Sequence, residues 1–310
     1  MSKEDSMTRR EALRCLGYGT AGTLFVLSGG VFAPIDVALA TRDPDARKGS
    51  RPLFVQISDT HIGFHKDANP TPDKTLVQAV DLINALPAAP ELLLHTGDIT
   101  HLSKPEEFEQ AAALLGTIRH GELHTVPGEH DVADADASEY FRRYGRASGN
   151  RGYYSFDHAG VHFIALNNVM QAKDGGMGGL GDAQLAWALA DLKSRGSSTP
   201  IVVFAHMPLW TVYQPWGWGT ADSAPILEAL GRFGSVLVLN GHIHQIVQKV
   251  EGAVTYHTAR STAFPQHAPG EGPGPGPMKV PEAELARALG VTTIARAHRA
   301  FTTTDTTLAG

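Results

Sequence analysis

The sequence predicts an α/β fold with an antiparallel part in its second half. Three observations carry this. Short apolar runs of strand length alternate with stretches of helical period. In the second half several such runs follow one another with only turns between them. Acidic and histidine residues recur just past the ends of the runs, where α/β folds gather their loops.

Taken in order, residues 53–57 (LFVQI) form a β-rich run, and residues 73–86 (DKTLVQAVDLINAL) place apolar side chains at helical spacing. Residues 91–95 (ELLLH) form a buried-strand run. Residues 105–115 open with Pro and two acids, a favourable helix start. A strand follows at 123–126, then a pair at 153–156 and 161–166 around the turn DHAG. Residues 182–192 are helical, 201–204 a strand, and 224–233 helical behind the cap signal Asp222-Ser223. Strands at 236–239, 246–250 and 253–256 close the pattern. Residues 268–277 (APGEGPGPGP) read as a Gly/Pro linker, residues 281–289 as a short helix, and the Thr-rich last ten residues as mobile or an edge strand. The Gly-rich stretch 174–181 lacks the G-K-[ST] of a phosphate-binding loop and reads as a flexible loop.

At 310 residues with 42% hydrophobic content, the chain can bury one large core or two small ones. A net charge of −6 argues against a nucleic-acid partner. The single Cys, Cys15, excludes a disulfide framework and a Cys-based zinc site, and there is no C-x-x-C-H haem attachment motif. The 15 histidines are the feature that asks for an explanation.

The first 40 residues read as an export signal. Arg9-Arg10 precedes a moderately apolar, Gly-broken stretch from Cys15 to Phe32, and Ala38-Leu39-Ala40 is a small-residue cleavage site. This resembles a twin-arginine (Tat) signal. A Sec signal and an uncleaved membrane anchor are the alternatives. Residues 41–51 would then be a mobile polar leader of the mature chain. The expected location is the bacterial periplasm or the medium, with the Tat translocase a partner during export.

Five clusters follow the strand runs: Asp59-x-His61, Gly97-Asp98, Gly128-Glu129-His130-Asp131, His206, and Gly241-His242-Ile243-His244. Any one of them fits a structural histidine or carboxylate. Together, carboxylates and imidazoles after strand upon strand are a ligand set for divalent metals. The order D-x-H, G-D, G-[N/E]-H-D, H, G-H-x-H resembles the calcineurin-like metallophosphoesterases over residues 52–265. SDTHIG, TGDIT and NGHIHQ are similar to the bacterial branch containing cyclic-nucleotide phosphodiesterases and glycerophosphodiesterases. Residues 266–310 would be a linker and C-terminal extension.

The resemblance implies a four-layer α/β-β/α sandwich of two facing mixed sheets. It implies two metal ions (Mn, Fe or Zn), with Asp59, His61 and His244 on one, His206 and His242 on the other, and Asp98 bridging. It also implies in-line attack on a small phosphoester by a hydroxide held between the ions. A diester is favoured, a monoester is the alternative, and a metal-binding scaffold with little catalysis is a third reading. Glu129 stands where the family carries Asn. It is either a ligand that adds a third negative charge, or a group pushed away from the metal. His130 matches the family's electrostatic stabiliser or proton donor. Asp131 would orient its imidazole, or else be a turn residue. Arg260 is a candidate phosphate contact. Trp210, Tyr213 and Trp216 form either a substrate-facing wall or loop packing. His65, His101 and His257 lie near the motifs, with a plain structural role as the alternative, while His95 reads as structural.

Overall fold

The computed structural model describes residues 24–28, 31–35, 53–133, 137–172, 176–297 and 300–310. Strands β1 (Leu24–Ser28) and β2 (Val31–Ile35) pair antiparallel with each other. Arg9-Arg10, the small-residue site at 38–40 and the leader at 41–51 lie outside the described residues. Among the described residues, no helix is long and apolar enough to cross a membrane.

From residue 53 the chain builds two mixed sheets. The first joins β3 (Phe54–Ile57), β4 (Leu92–His95) and β5 (Glu122–Thr125) in parallel. The second runs β6 (Tyr154–His158), β7 (Val161–Ala165), β8 (Ile201–Phe204) and β9 (Val236–Asn240), then β11 (Val254–Thr258) and its antiparallel partner β10 (Gln248–Glu251). Its strands from β7 through β8 and β9 to β11 are parallel.

The two-residue period of a strand explains the layers. Phe54, Leu92, Leu94, Phe163, Val202, Phe204, Leu237 and Leu239 pack together as the core shared by the two sheets. Their alternating neighbours point the other way, to helices. Val55, Ile57 and Leu93 meet helix α1 (Pro72–Asn84) through Leu76, Ala79, Val80 and Ile83, and helix α2 (Pro105–Leu115) through Phe108, Ala111 and Leu115. Ile201, Val203, Val236 and Val238 meet α4 (Asp182–Lys193) and α5 (Ala224–Leu230). The short helix α3 (Ser138–Tyr144) adds Tyr140 to the first group. Strands buried on both faces read as continuous apolar runs, which is why these were legible without alternation.

The C-terminal segment differs from its expected role. Beyond α6 (Glu282–Ala288), strands β12 (Gly290–Ala297) and β13 (Ala300–Thr307) form a hairpin, and β12 pairs antiparallel with β3. The first sheet is therefore β13-β12-β3-β4-β5. Residues 290–307 complete the sheet that carries Asp59, and β13 is its edge. The edge-strand alternative for the Thr-rich last residues thus holds, since an edge strand with an exposed face needs little apolar content, while the strand at 290–297 that joins it to the sheet went unread.

Asp305 on β13 ties the hairpin down. It accepts hydrogen bonds from Thr292 Oγ1 (2.7 Å) and from buried His257 Nε2 on β11 of the other sheet (3.1 Å). His257 is thus structural. Burial disfavours the Asp305 carboxylate, but His257 and Thr292 outweigh it and hold its pKa below the ordinary value. Asp305→Asn is expected to cost about 1–2 kcal/mol at neutral pH in chemical denaturation. A lowered carboxylate pKa gives stability above its unfolded value of about 3.9 and loses it on acidification. The gap between variant and parent should therefore narrow below about pH 4.

Candidate metal centre

The parallel strands deliver the motif residues to one edge of the two sheets. Asp59 and His61 follow β3, Asp98 follows β4, Glu129–Asp131 follow β5, His206 follows β8, and His242 and His244 follow β9. Five of these have left-handed backbone: Asp59 (φ 53°), His61 (39°), Asp98 (53°), His242 (69°) and His244 (54°). Non-glycine residues adopt this region rarely, at a cost that surrounding structure must hold. Here the loops hold one another. Asp59 N–H donates to Gly97 O, His61 N–H to Asp98 O, and Gly241 N–H to His206 O. The close approach needs glycine at Gly128, where a Cβ would run into the backbone nitrogen and carboxylate of Asp98.

Two triads result. The ligand atoms of Asp59, His61 and His244 lie within 4.8 Å of one another, as do those of Glu129, His206 and His242. Asp98 stands between them, with Oδ2 3.4 Å from both His61 Nε2 and His206 Nε2. Glu129 is turned into the site, its carboxylate 2.8 Å from His206 Nε2 and 2.9 Å from His242 Nδ1.

The donor set fits metal ions. His206 Nδ1 donates to Thr96 O (2.7 Å) and His244 Nδ1 to Phe264 O (2.6 Å), which leaves each neutral ring with its Nε2 lone pair facing the cluster. His61 Nε2 and His244 Nε2 face each other at 3.2 Å in a buried setting. Glu129 Oε2, His206 Nε2 and His242 Nδ1 are buried without an aligned hydrogen-bond partner, despite their short separations. Lone pairs and carboxylate oxygens aimed at a common point are what a borderline divalent cation requires. The site also draws positive charge. Burial disfavours a charged His206, yet Asp98 and Glu129 outweigh it and raise its pKa well above the ordinary value. His61, by contrast, is pushed well below by burial and by the neighbouring histidines.

A cavity of about 200 Å³ opens onto the cluster, lined by His61, Asp98, Glu129, His130, His242 and His244. His130 hangs at its side, with Nδ1 donating to His101 O at 2.7 Å. Burial opposes its charged form, but the carboxylates of Asp98 and Glu129 prevail and its pKa is raised.

Asp131 corrects the expectation set for it. It does not hold the His130 ring; the His101 carbonyl does. Fully buried, Asp131 accepts from the backbone N–H of Ile99, Thr100 and Gly128 and from Thr100 Oγ1, stitching the loop after β4 to the loop after β5. Burial and the Asp98 charge push its pKa up to about 7 against those bonds.

Three other candidates are also placed elsewhere. Trp210 is buried against Tyr256 in the core beneath the second sheet. Tyr213 packs edge-on against Trp216, which in turn meets buried Trp218, so this aromatic segment packs a loop. Arg260 donates to Ala288 O, beside the C-terminal hairpin. His65 is exposed, with its Nδ1 at Pro70 O, and His95 is buried at Thr60 Oγ1.

The sequence reading underrated His101, which lines the cavity, and missed Lys66, Phe264, Gln266, Gly276 and Pro277 on the same wall. Gln266 donates to His242 O (2.9 Å) and accepts from Gly276 N–H, so the Gly/Pro stretch forms part of the rim. Nothing in these residue types marks them for such a place, since the tertiary fold alone brings them there.

The calcineurin-like phosphoesterase family profile matches residues 52–246, and the chain belongs to this family. At that level it is a phosphoester hydrolase, of a family that uses divalent metals. A glycerophosphodiester phosphodiesterase GpdQ from Enterobacter lignolyticus is 30% identical over 231 residues, covering 68% of this chain and 77% of that protein. A 3',5'-cyclic-nucleotide phosphodiesterase from Nostoc is 29% identical over 177 residues, 56% of this chain and 63% of that protein. Among solved structures, a dimetal phosphatase from Danio rerio superposes with a TM-score of 0.63 at 15% identity, covering 83% of this chain and 97% of that one. The last similarity concerns the fold.

Gly128→Ala is expected to push the Asp98 carboxylate aside. Calorimetric titration with Mn²⁺ should show affinity reduced at least about tenfold, the scale seen when groups supporting a ligand are lost. A wild-type isotherm would separate Asp98 placement from metal binding.

Proposed function

We propose that the chain hydrolyses a phosphodiester at a centre of two metal ions. Asp59, His61 and His244 would hold one ion, Glu129, His206 and His242 the other, and Asp98 would touch both. The observation that carries this reading is the pair of triads flanking Asp98, four of whose six residues line one cavity. The diester preference is supported by the relatives named above as phosphodiesterases.

Bound ions of this kind act as Lewis acids on phosphoryl oxygens and lower the pKa of water. The chain's own residues supply orientation and a proton. Thr96 O and Phe264 O fix which nitrogens of His206 and His244 face the cluster. His242 N–H holds the Asp59 carboxylate, and His130 N–H holds Asp98 Oδ1 at 2.9 Å. His130, with Nδ1 engaged by His101 O, presents Nε2 as the group that gives a proton to the departing alkoxide.

The third carboxylate at Glu129 would favour hard cations such as Mn²⁺ or Fe and soften their Lewis acidity. We further propose that Arg9-Arg10 directs export of the folded chain to the periplasm. Replacing both by Lys should leave the full-length precursor in the cytoplasm on fractionation.

The test of activity is turnover of bis(p-nitrophenyl) phosphate and p-nitrophenyl phosphate by protein loaded in turn with Mn²⁺, Fe²⁺ and Zn²⁺. Metal-dependent release, faster for the diester and lost in Asp98→Ala, is expected. A faster monoester would move the reading to a phosphomonoesterase. No turnover by protein that binds two ions would favour a binding scaffold. Glu129→Asn should weaken Mn²⁺ binding by about tenfold or more and raise kcat at metal saturation.

A further inference from the structure

We infer that His101 is a positioning residue that orients two groups of the centre at once, the ligand candidate His61 and the proton donor His130. This deepens the reading above and rests on it for the roles of those two histidines.

His101 follows directly on the TGDIT motif, and its backbone is fixed before its side chain acts. Its N–H donates to Ile62 O at 2.9 Å, so the loop after β4 is pinned to the loop after β3. The edge of Phe64 meets its ring at 5.1 Å and 89°, and Phe64 is itself wholly buried. The His101 imidazole is thereby braced from behind, with its open side towards the cavity.

Two contacts then leave that ring. The first is a stack on His130, with centroids 4.7 Å apart and planes 18° from parallel. The same residue's carbonyl accepts from His130 Nδ1 at 2.7 Å. A hydrogen bond in the ring plane and a stack on the ring face leave His130 little freedom in either side-chain torsion. The ring is thereby held in one pose at the side of the cavity.

The second contact is Nδ1 to Nδ1 with His61, at 3.4 Å. Two imidazole nitrogens bond only if one carries a proton and the other a lone pair. A ligand role for His61 needs a lone pair on Nε2, the nitrogen facing His244 Nε2. The proton then lies on His61 Nδ1, His101 Nδ1 accepts it, and His101 carries its own proton on Nε2. Among the described residues, His101 is the hydrogen-bond partner of His61 Nδ1. One residue therefore sets the tautomer of a ligand candidate through its ring and the pose of the proton donor through its ring and its carbonyl.

The two contacts can be separated by substitution. Phenylalanine keeps a ring to stack on His130 but offers no acceptor to His61. Asparagine offers an acceptor but no stack. Alanine offers neither. The substrates are bis(p-nitrophenyl) phosphate, whose leaving group needs no proton, and a dialkyl phosphate, whose alkoxide does. At saturating Mn²⁺, His101→Ala and His101→Asn should lose about tenfold or more on the dialkyl ester relative to the nitrophenyl ester, a part of what general acids typically contribute. His101→Phe should keep the wild-type ratio. In calorimetric titration, His101→Phe and His101→Ala should bind Mn²⁺ about tenfold more weakly, with His101→Asn nearer to wild type. The backbone carbonyl that receives His130 Nδ1 stays in every variant, so an unchanged ester ratio in His101→Ala would overturn the role of the ring stack in posing His130, and unchanged Mn²⁺ affinity in His101→Phe would overturn the link to His61. ¹⁵N spectra of the histidine side chains give a readout free of turnover. The His130 Nδ1–H should exchange with solvent faster in His101→Ala than in the parent. If the parent hydrolyses neither ester, the proposed function fails, and the spectra and titrations still decide the place of His101.

Discussion

Burying several carboxylates side by side is the constraint around which this molecule is arranged. Asp59, Asp98 and Asp131 are all but inaccessible to water, and Glu129 joins them at the cavity. An ionised carboxylate taken from water is costly unless hydrogen bonds or opposite charge compensate it. The compensation is divided among them. Asp131 takes four donors from two loops, Asp98 takes the His130 N–H, and Asp59 takes the His242 N–H. What remains uncompensated is directed at the imidazoles of His61, His206, His242 and His244. That residual negative charge, facing the lone pairs that backbone carbonyls orient on His206 and His244, suits the place to a cation.

The rest of the fold serves this arrangement. Parallel strands buried on both faces end at one edge, so loops distant in sequence meet there without any helix intervening. The left-handed residues and the absent Cβ of Gly128 let those loops approach closely enough for backbone groups to reach carboxylates. The C-terminal hairpin extends the sheet that carries Asp59, and Asp305 links that hairpin to His257 in the other sheet. Stability far from the site thus bears on it, because the two triads draw on residues from both sheets.

The distribution of roles among neighbours in one motif shows where residue type stops being informative. In Gly128-Glu129-His130-Asp131 all four positions matter, each differently. Gly128 makes room, Glu129 enters the cluster, His130 lines the cavity, and Asp131 turns away to stitch loops. A carboxylate next to a histidine in sequence invites the idea that it orients the ring, but a tight 3₁₀ turn over Glu129–Asp131 sends the two side chains in different directions. Likewise the aromatics at 210–218 are dense enough to suggest a binding wall. They instead pack the loop that carries them, since large apolar rings are buried wherever the local chain can cover them.

The α/β class, the strand runs and the ligand-type residues after β3, β4, β5, β8 and β9 are legible in the order of the amino acids alone. Those signals are local: an apolar run buried on both faces, and a short polar motif directly beyond it. The packing of distant segments is what turns Glu129 inward, brings the His101 carbonyl rather than Asp131 to the His130 ring, and sets Arg260 against the end of α6. Each of these depends on contacts between segments tens to hundreds of residues apart, as with Arg260 and Ala288. Side-chain type states what a residue can do; the packing of distant loops selects which of those things it does.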